Sequence, residues 1–169
     1  VRSTGNDGAG KLALYAVPSA GGTARRIRAL PSGTSWARPA WAPGRWLALD
    51  GIELISATGK SGGRATHPPA RWHDEQADWA PDGRHFAFVR FGPGCCAFGY
   101  VFVGSRGSSS VRETTVALTS PSWSPDGSRI AGVFFDPFGP GVAIVTMRAD
   151  GSDLRVVTDI PLPGVVYRA

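Results

Sequence analysis

Apolar and polar positions alternate over short stretches of this chain, and turns rich in glycine, proline and aspartate break the alternation every few residues. Residues 12–17 read as a strand, 18–23 as a turn, and 26–30 as a half-exposed strand in which charged and apolar side chains alternate. This pair has no tryptophan unit before it and reads as the outer half of a larger sheet. From Pro39 onward one series of signals recurs: inner strand, tight turn, second strand, loop, third strand, turn, fourth strand. The third and fourth strands are expected at 52–55 with 63–66, at 100–103 with 112–115, and at 142–147 with 154–157.

The recurrence is carried by one stretch, Pro121-Ser122-Trp123-Ser124-Pro125-Asp126-Gly127, followed by the apolar Ile130 and Ala131. It returns upstream as Asp78-Trp79-Ala80-Pro81-Asp82-Gly83, and without its aspartate as Ala40-Trp41-Ala42-Pro43-Gly44. Proline pre-sets φ for the first corner of a tight turn, aspartate bonds back to nearby N–H groups, and glycine accepts φ > 0. Asp82 and Asp126 are therefore expected to make turns, not to catalyse. Trp41, Trp79 and Trp123 are expected at equivalent places, each wedged between neighbouring sheets. An interval of roughly 40 residues between strand–turn–strand units points to propeller blades.

The expected fold is all-β, a β-propeller or partial propeller of about three and a half to four four-stranded antiparallel blades. A single domain spans 1–169, with repeats near 1–30 (the outer half-blade), 39–68, 77–118 and 121–158, and with 159–169 as a closing strand.

Composition narrows the function classes. A hydrophobic content of 42% and a charged content of 18% describe an ordered globular chain. No apolar run is long enough to cross a bilayer, so membrane insertion is not expected. The chain starts at Val1 without methionine, which reads as a processed or excised piece. The formal net charge is +5, but beyond Arg25, Arg26 and Arg28 the arginines fall singly among acidic residues. A solvated basic surface is expected, and nucleic acid is not.

The repeats resemble those of TolB-type β-propellers, whose pattern is a proline and a tryptophan, a Ser-Pro-Asp-Gly turn, then Ile-Ala-Phe. An aspartate–glycine turn and a Leu-Thr ending follow in that family. Residues 121–158 match almost throughout, through Ala149-Asp150-Gly151-Ser152 to Val157-Thr158; the unit from Asp78 matches in its first half. The resemblance implies a non-catalytic binding module in a periplasmic or secreted location, with a protein partner and no cofactor. TolB-type rings usually have six blades, so the resemblance also raises a homodimer that completes the ring. Similar repeats occur in prolyl-oligopeptidase-like peptidases and in bacterial membrane sensors, and a sugar- or metal-binding propeller is a further alternative.

Propellers bind through the loops entering their inner strands. Arg38, Gln76 and Ser120 each lie three residues before a repeat tryptophan, and Trp36 and Trp72 sit in the same loops with His73. These six are the expected partner-binding rim. His67, His73, Asp74 and Glu75 carry the right donors for a divalent ion, but their spacing fits no helical ligand pair, and a solvated loop is expected instead. Asp150-Gly151-Ser152-Asp153 lacks the oxygen-donor series of a calcium loop and reads as a hairpin turn. There is no nucleophile elbow, P-loop or glycine fingerprint, so no catalytic residue is assigned. Cys95 and Cys96 are adjacent, with Cα atoms about 3.8 Å apart, closer than ordinary disulfides prefer. A strained vicinal bridge, free thiols and bonds to other chains all stay open.

Overall fold

The computed structural model describes residues 2–3, 13–30, 39–44, 46–49, 52–94, 99–135 and 141–160. Trp36, Arg38, Cys95 and Cys96 lie outside them. Among the described residues, fifteen strands form four antiparallel sheets, and there is no α-helix and hence no helix able to cross a membrane. The first sheet is β1 (Arg2–Ser3), β2 (Ala13–Ala16) and β3 (Arg25–Ala29). The second is β4 (Ala40–Ala42), β5 (Trp46–Leu49), β6 (Glu53–Ser56) and β7 (Ser61–Arg64). The third is β8 (His73–Trp79), β9 (His85–Phe91), β10 (Tyr100–Ser105) and β11 (Val111–Ala117). The fourth is β12 (Thr119–Trp123), β13 (Ile130–Phe135), β14 (Val142–Met147) and β15 (Arg155–Ile160). Each four-stranded sheet is a meander, in the order that consecutive tight turns impose.

The recurring turn has one geometry in the third and fourth sheets. The Gly83 N–H donates to Ala80 O at 3.0 Å and the Gly127 N–H to Ser124 O at 2.9 Å. Both glycines have positive φ, 63° and 71°. Asp82 Oδ1 accepts from the N–H groups of Arg84 (2.8 Å) and His85 (2.9 Å), and Asp126 Oδ1 from that of Ser128 (3.0 Å). The aspartates are turn makers, as the turn chemistry predicts. Asp150 repeats the device between β14 and β15, accepting from the Ser152 N–H at 2.9 Å.

These bonds set the carboxylate acidities. At Asp82 partial burial opposes ionisation, but hydrogen bonds from His85 and Arg84 outweigh it and lower the pKa to about 2. Hydrogen bonds from Ser124 and Ser128 hold Asp126 at about 2 as well. Both folded values lie below the ordinary 3.8, so the stability they contribute is fully present above that value and is lost as pH falls through about 2. The unfolding temperature is expected to change little through these groups between about pH 7 and 5, then to fall between about pH 4 and 2. Calorimetry of the Asp82→Asn, Asp126→Asn double variant should show a shallower acid limb. An acid limb identical to that of the parent would contradict this account.

Sheets pack face to face with large side chains against small ones. Trp79, Phe86 and Phe88 of the third sheet meet Ala40, Ala42 and Ala48 of the second. Leu118, Ile130, Val145 and Met147 fill the space between third and fourth, with Trp123 packed against them. Leu14 and Leu30 meet Leu47, Leu49 and Ile55 between first and second. Trp41 departs from the expected wedge. It is 46% exposed, whereas Trp79 is 6% exposed. Trp41 belongs to none of the three apolar clusters. The neighbour that would cover it is the three-stranded first sheet, which lacks a fourth strand among the described residues.

Candidate functional site

The inner strands of the third and fourth sheets are stitched together by side chains. β8 lies beside β12 on one side and β4 on the other. The Ser120 N–H donates to Gln76 Oε1 at 2.6 Å, and the Trp123 N–H donates to Asp78 Oδ2 at 2.7 Å. Gln76 and Ser120 sit at equivalent register breaks in β8 and β12, both with left-handed backbone (φ 58° and 52°). A bulge re-aims the side chain that follows it, and non-glycine residues hold such φ only where their surroundings enforce it. The structure thus brings Gln76 and Ser120 together, but the Gln76 carbonyl is already engaged in joining two sheets.

At the end of the third sheet where β8 begins, register places Asp74 opposite Arg90, and Arg90 opposite Tyr100. Asp74 has no exposed side-chain surface and accepts two bonds from Arg90, from Nε at 2.7 Å and Nη2 at 2.8 Å. The guanidinium carbon lies 4.6 Å from the Phe102 ring centroid and 5.5 Å from that of Phe88. A fork-shaped cation held by a bidentate carboxylate and flanked by aromatic rings is fixed in direction.

Arg90 forms part of a pocket of about 200 Å³ lined by Pro69, Trp72, Tyr100, Phe102 and Glu113 as well. Trp72 and Tyr100 are 38% and 47% exposed. The Trp72 ring lies close over Gly92, where an added Cβ would stand 3.1 Å from it. His73 stands apart from this pocket. It stacks on Phe91 with centroids 5.2 Å apart, and its Nε2 lies 3.7 Å from Glu75 Oε1. Of the expected rim residues, Trp72 reaches the pocket, His73 opens β8, and Gln76 and Ser120 serve the sheet junction.

Sequence reasoning missed Asp74 as a buried partner and missed Arg90, Tyr100 and Glu113 altogether. Strand register, not a local motif, brings these together. A larger concavity of about 370 Å³ opens between the turns of the third and fourth sheets. Its charged groups are committed locally: Asp82 to its own turn and His85, Asp126 to Ser124 and Ser128, and Arg112 Nη2 to Ala149 O at 2.9 Å. That leaves the Trp72 pocket as the better candidate.

No family model and no curated protein matches the sequence. Solved structures do. A TolB-type protein from Agrobacterium tumefaciens shares 23% identity and a TM-score of 0.71, over 90% of this chain and 58% of its own. TolB from Acinetobacter baumannii shares 20% identity and a TM-score of 0.66, over 90% of this chain and 39% of its own. An oligogalacturonate lyase in complex with manganese shares 16% identity and a TM-score of 0.68, over 93% and 44%. The fold is therefore that of a TolB-type β-propeller, present as part of a ring, and the chain spans roughly half the length of the propellers it resembles. Enzymes and non-enzymes share this architecture.

Proposed function

We infer that this propeller domain is a non-catalytic binding module that engages a protein partner through the Trp72 pocket. The observation that carries the reading is the pairing of two exposed aromatic rings, Trp72 and Tyr100, with the pre-aimed Arg90 guanidinium. Tryptophan, tyrosine and arginine are enriched at binding hot spots because they combine large apolar area with directed polar groups. A non-catalytic role is supported by the structural commitments of the neighbouring polar groups: Asp74 is paired with Arg90, Asp78 accepts from the Trp123 N–H, and Gln76 accepts from the Ser120 N–H. An extracytoplasmic location belongs to the same reading.

The test is photocrosslinking from a benzoylphenylalanine placed at position 100 of the full protein in its own cell. One abundant adduct is expected, and its protein component should bind the purified domain. The Trp72→Ala, Tyr100→Ala double variant should weaken that binding by about 2 kcal/mol or more, roughly thirtyfold. The unfolding temperature should move by only a few degrees. The mass of the adduct also reports whether two copies close one ring and present the pocket twice. Partner binding indifferent to both substitutions would remove the pocket from consideration.

A further inference from the structure

The outer strands of the second and third sheets leave a separate cleft of about 460 Å³ that shares no described lining residue with the Trp72 pocket. One wall is apolar, made by Trp46 and Leu54. The Trp46 ring lies across β7 at Gly62, where an added Cβ would stand 2.5 Å from the ring, so the missing side chain is what lets the indole lie close on the strand. The polar part of the lining comprises Arg64 and His67 from the second sheet and its exit, and Arg106, Ser108 and Ser109 from the β10–β11 turn. That turn is fixed by the Arg106 N–H donating to Arg84 O at 2.8 Å and the Ser108 N–H to Ser105 O at 3.0 Å.

Among the described residues no carboxylate lines this cleft. Arg28, Arg90, Arg129 and Arg155 each have a carboxylate oxygen within 2.8 Å. Arg64 and Arg106 have no side-chain hydrogen bond or ion pair among the described residues. Glu53, the register partner of Arg64, turns instead to Arg28 at 2.7 Å and Ser61 at 3.1 Å. Two uncompensated guanidinium groups in one concavity raise the local concentration of anions, and their planar forks match carboxylate and phosphate oxygens.

We propose that this cleft binds an acidic sugar. The apolar face of the sugar ring packs on Trp46, its carboxylate or phosphate lies between Arg64 and Arg106, and its hydroxyls meet Ser109 and His67. An indole platform beside a few polar groups suits a ligand with one apolar face and a polar edge. A bare oxyanion would have no use for the indole, and a neutral sugar none for the paired cations.

Calorimetric titration of the whole chain with four probes tests this: a glucuronic-acid disaccharide, glucose 6-phosphate, inorganic phosphate and cellobiose. At least one of the first two is expected to bind with a Kd of about 1 mM or tighter, and the one that does identifies carboxylate or phosphate as the recognised group. The Arg64→Gln, Arg106→Gln double variant changes only exposed side chains. It should weaken that binding by about tenfold or more at an unchanged unfolding temperature. Inorganic phosphate binding as tightly as the acidic sugars would reduce the cleft to a plain oxyanion site and overturn the proposal. So would cellobiose matching them, neither acidic sugar binding, or affinity that survives the double substitution.

Discussion

Asp74→Ala is expected to lower the unfolding free energy by about 3–5 kcal/mol, the loss typical of stranding one partner of a buried ion pair. The Asp74 side chain is fully buried and that of Arg90 only 10% exposed, so water cannot take over the missing bonds. The guanidinium also lies against Phe102 and Phe88 and cannot swing out without opening that packing. The informative control is the double variant Asp74→Leu, Arg90→Met. It removes both charges and should recover most of the loss, because the desolvation penalty disappears with the attraction. Urea titration of parent, single and double variants measures both steps. A single-variant loss below about 1 kcal/mol would mean a pair as hydrated as an ordinary surface salt bridge, and Arg90 would then lose its role as a fixed element of the pocket.

Gly151→Ala is the second large effect. This glycine closes the β14–β15 turn with φ +84°, and a Cβ there would stand 2.1 Å from the carbonyl oxygen of Thr114 on the neighbouring sheet. Thr114 cannot yield easily. It is 1% exposed, and its Oγ1 donates to Val101 O at 2.9 Å. Backbone strain of about 1–2 kcal/mol and overpacking of about 1–3 kcal/mol together give an expected loss of about 2–5 kcal/mol. Gly127→Ala supplies the comparison. Its φ is also positive, at +71°, but the nearest atom to its Cβ is Pro81 Cδ at an ordinary 3.6 Å. Only the backbone term applies, about 1–2 kcal/mol. Equal losses at the two glycines, read from urea midpoints, would mean that the 150–153 turn does not seat against the third sheet.

The features legible in advance are those that a few adjacent residues decide. Pro-Asp-Gly specifies its turn whatever surrounds it, and the strands that flank it follow from alternation; hence Asp82 and Asp126 were readable as turn makers from type and spacing alone. The pocket was not legible in that way. Asp74 and Arg90 meet only because β8 and β9 pair in one register, and Tyr100 joins them only because β10 pairs with β9 in another. No residue near Tyr100 in sequence announces this. The bulges at Gln76 and Ser120 are equally silent, since each depends on a partner strand to slip against. Trp41 shows the converse error. Its tryptophan stands at the same place before the turn as Trp79, but burial of an inner-strand tryptophan is conferred by the adjoining sheet, and among the described residues the sheet beside Trp41 has three strands.

The two bonds between β8 and β12 have a direction in time as well as in space. In both, the accepting side chain, Gln76 or Asp78, is translated some forty residues before the N–H that it captures at Ser120 or Trp123. In a chain made from its N-terminus, both acceptors on β8 therefore precede the β12 N–H groups that they capture. A circularly permuted chain that begins at β12 would make the same bonds in the finished state but would lose the order in which they are laid down.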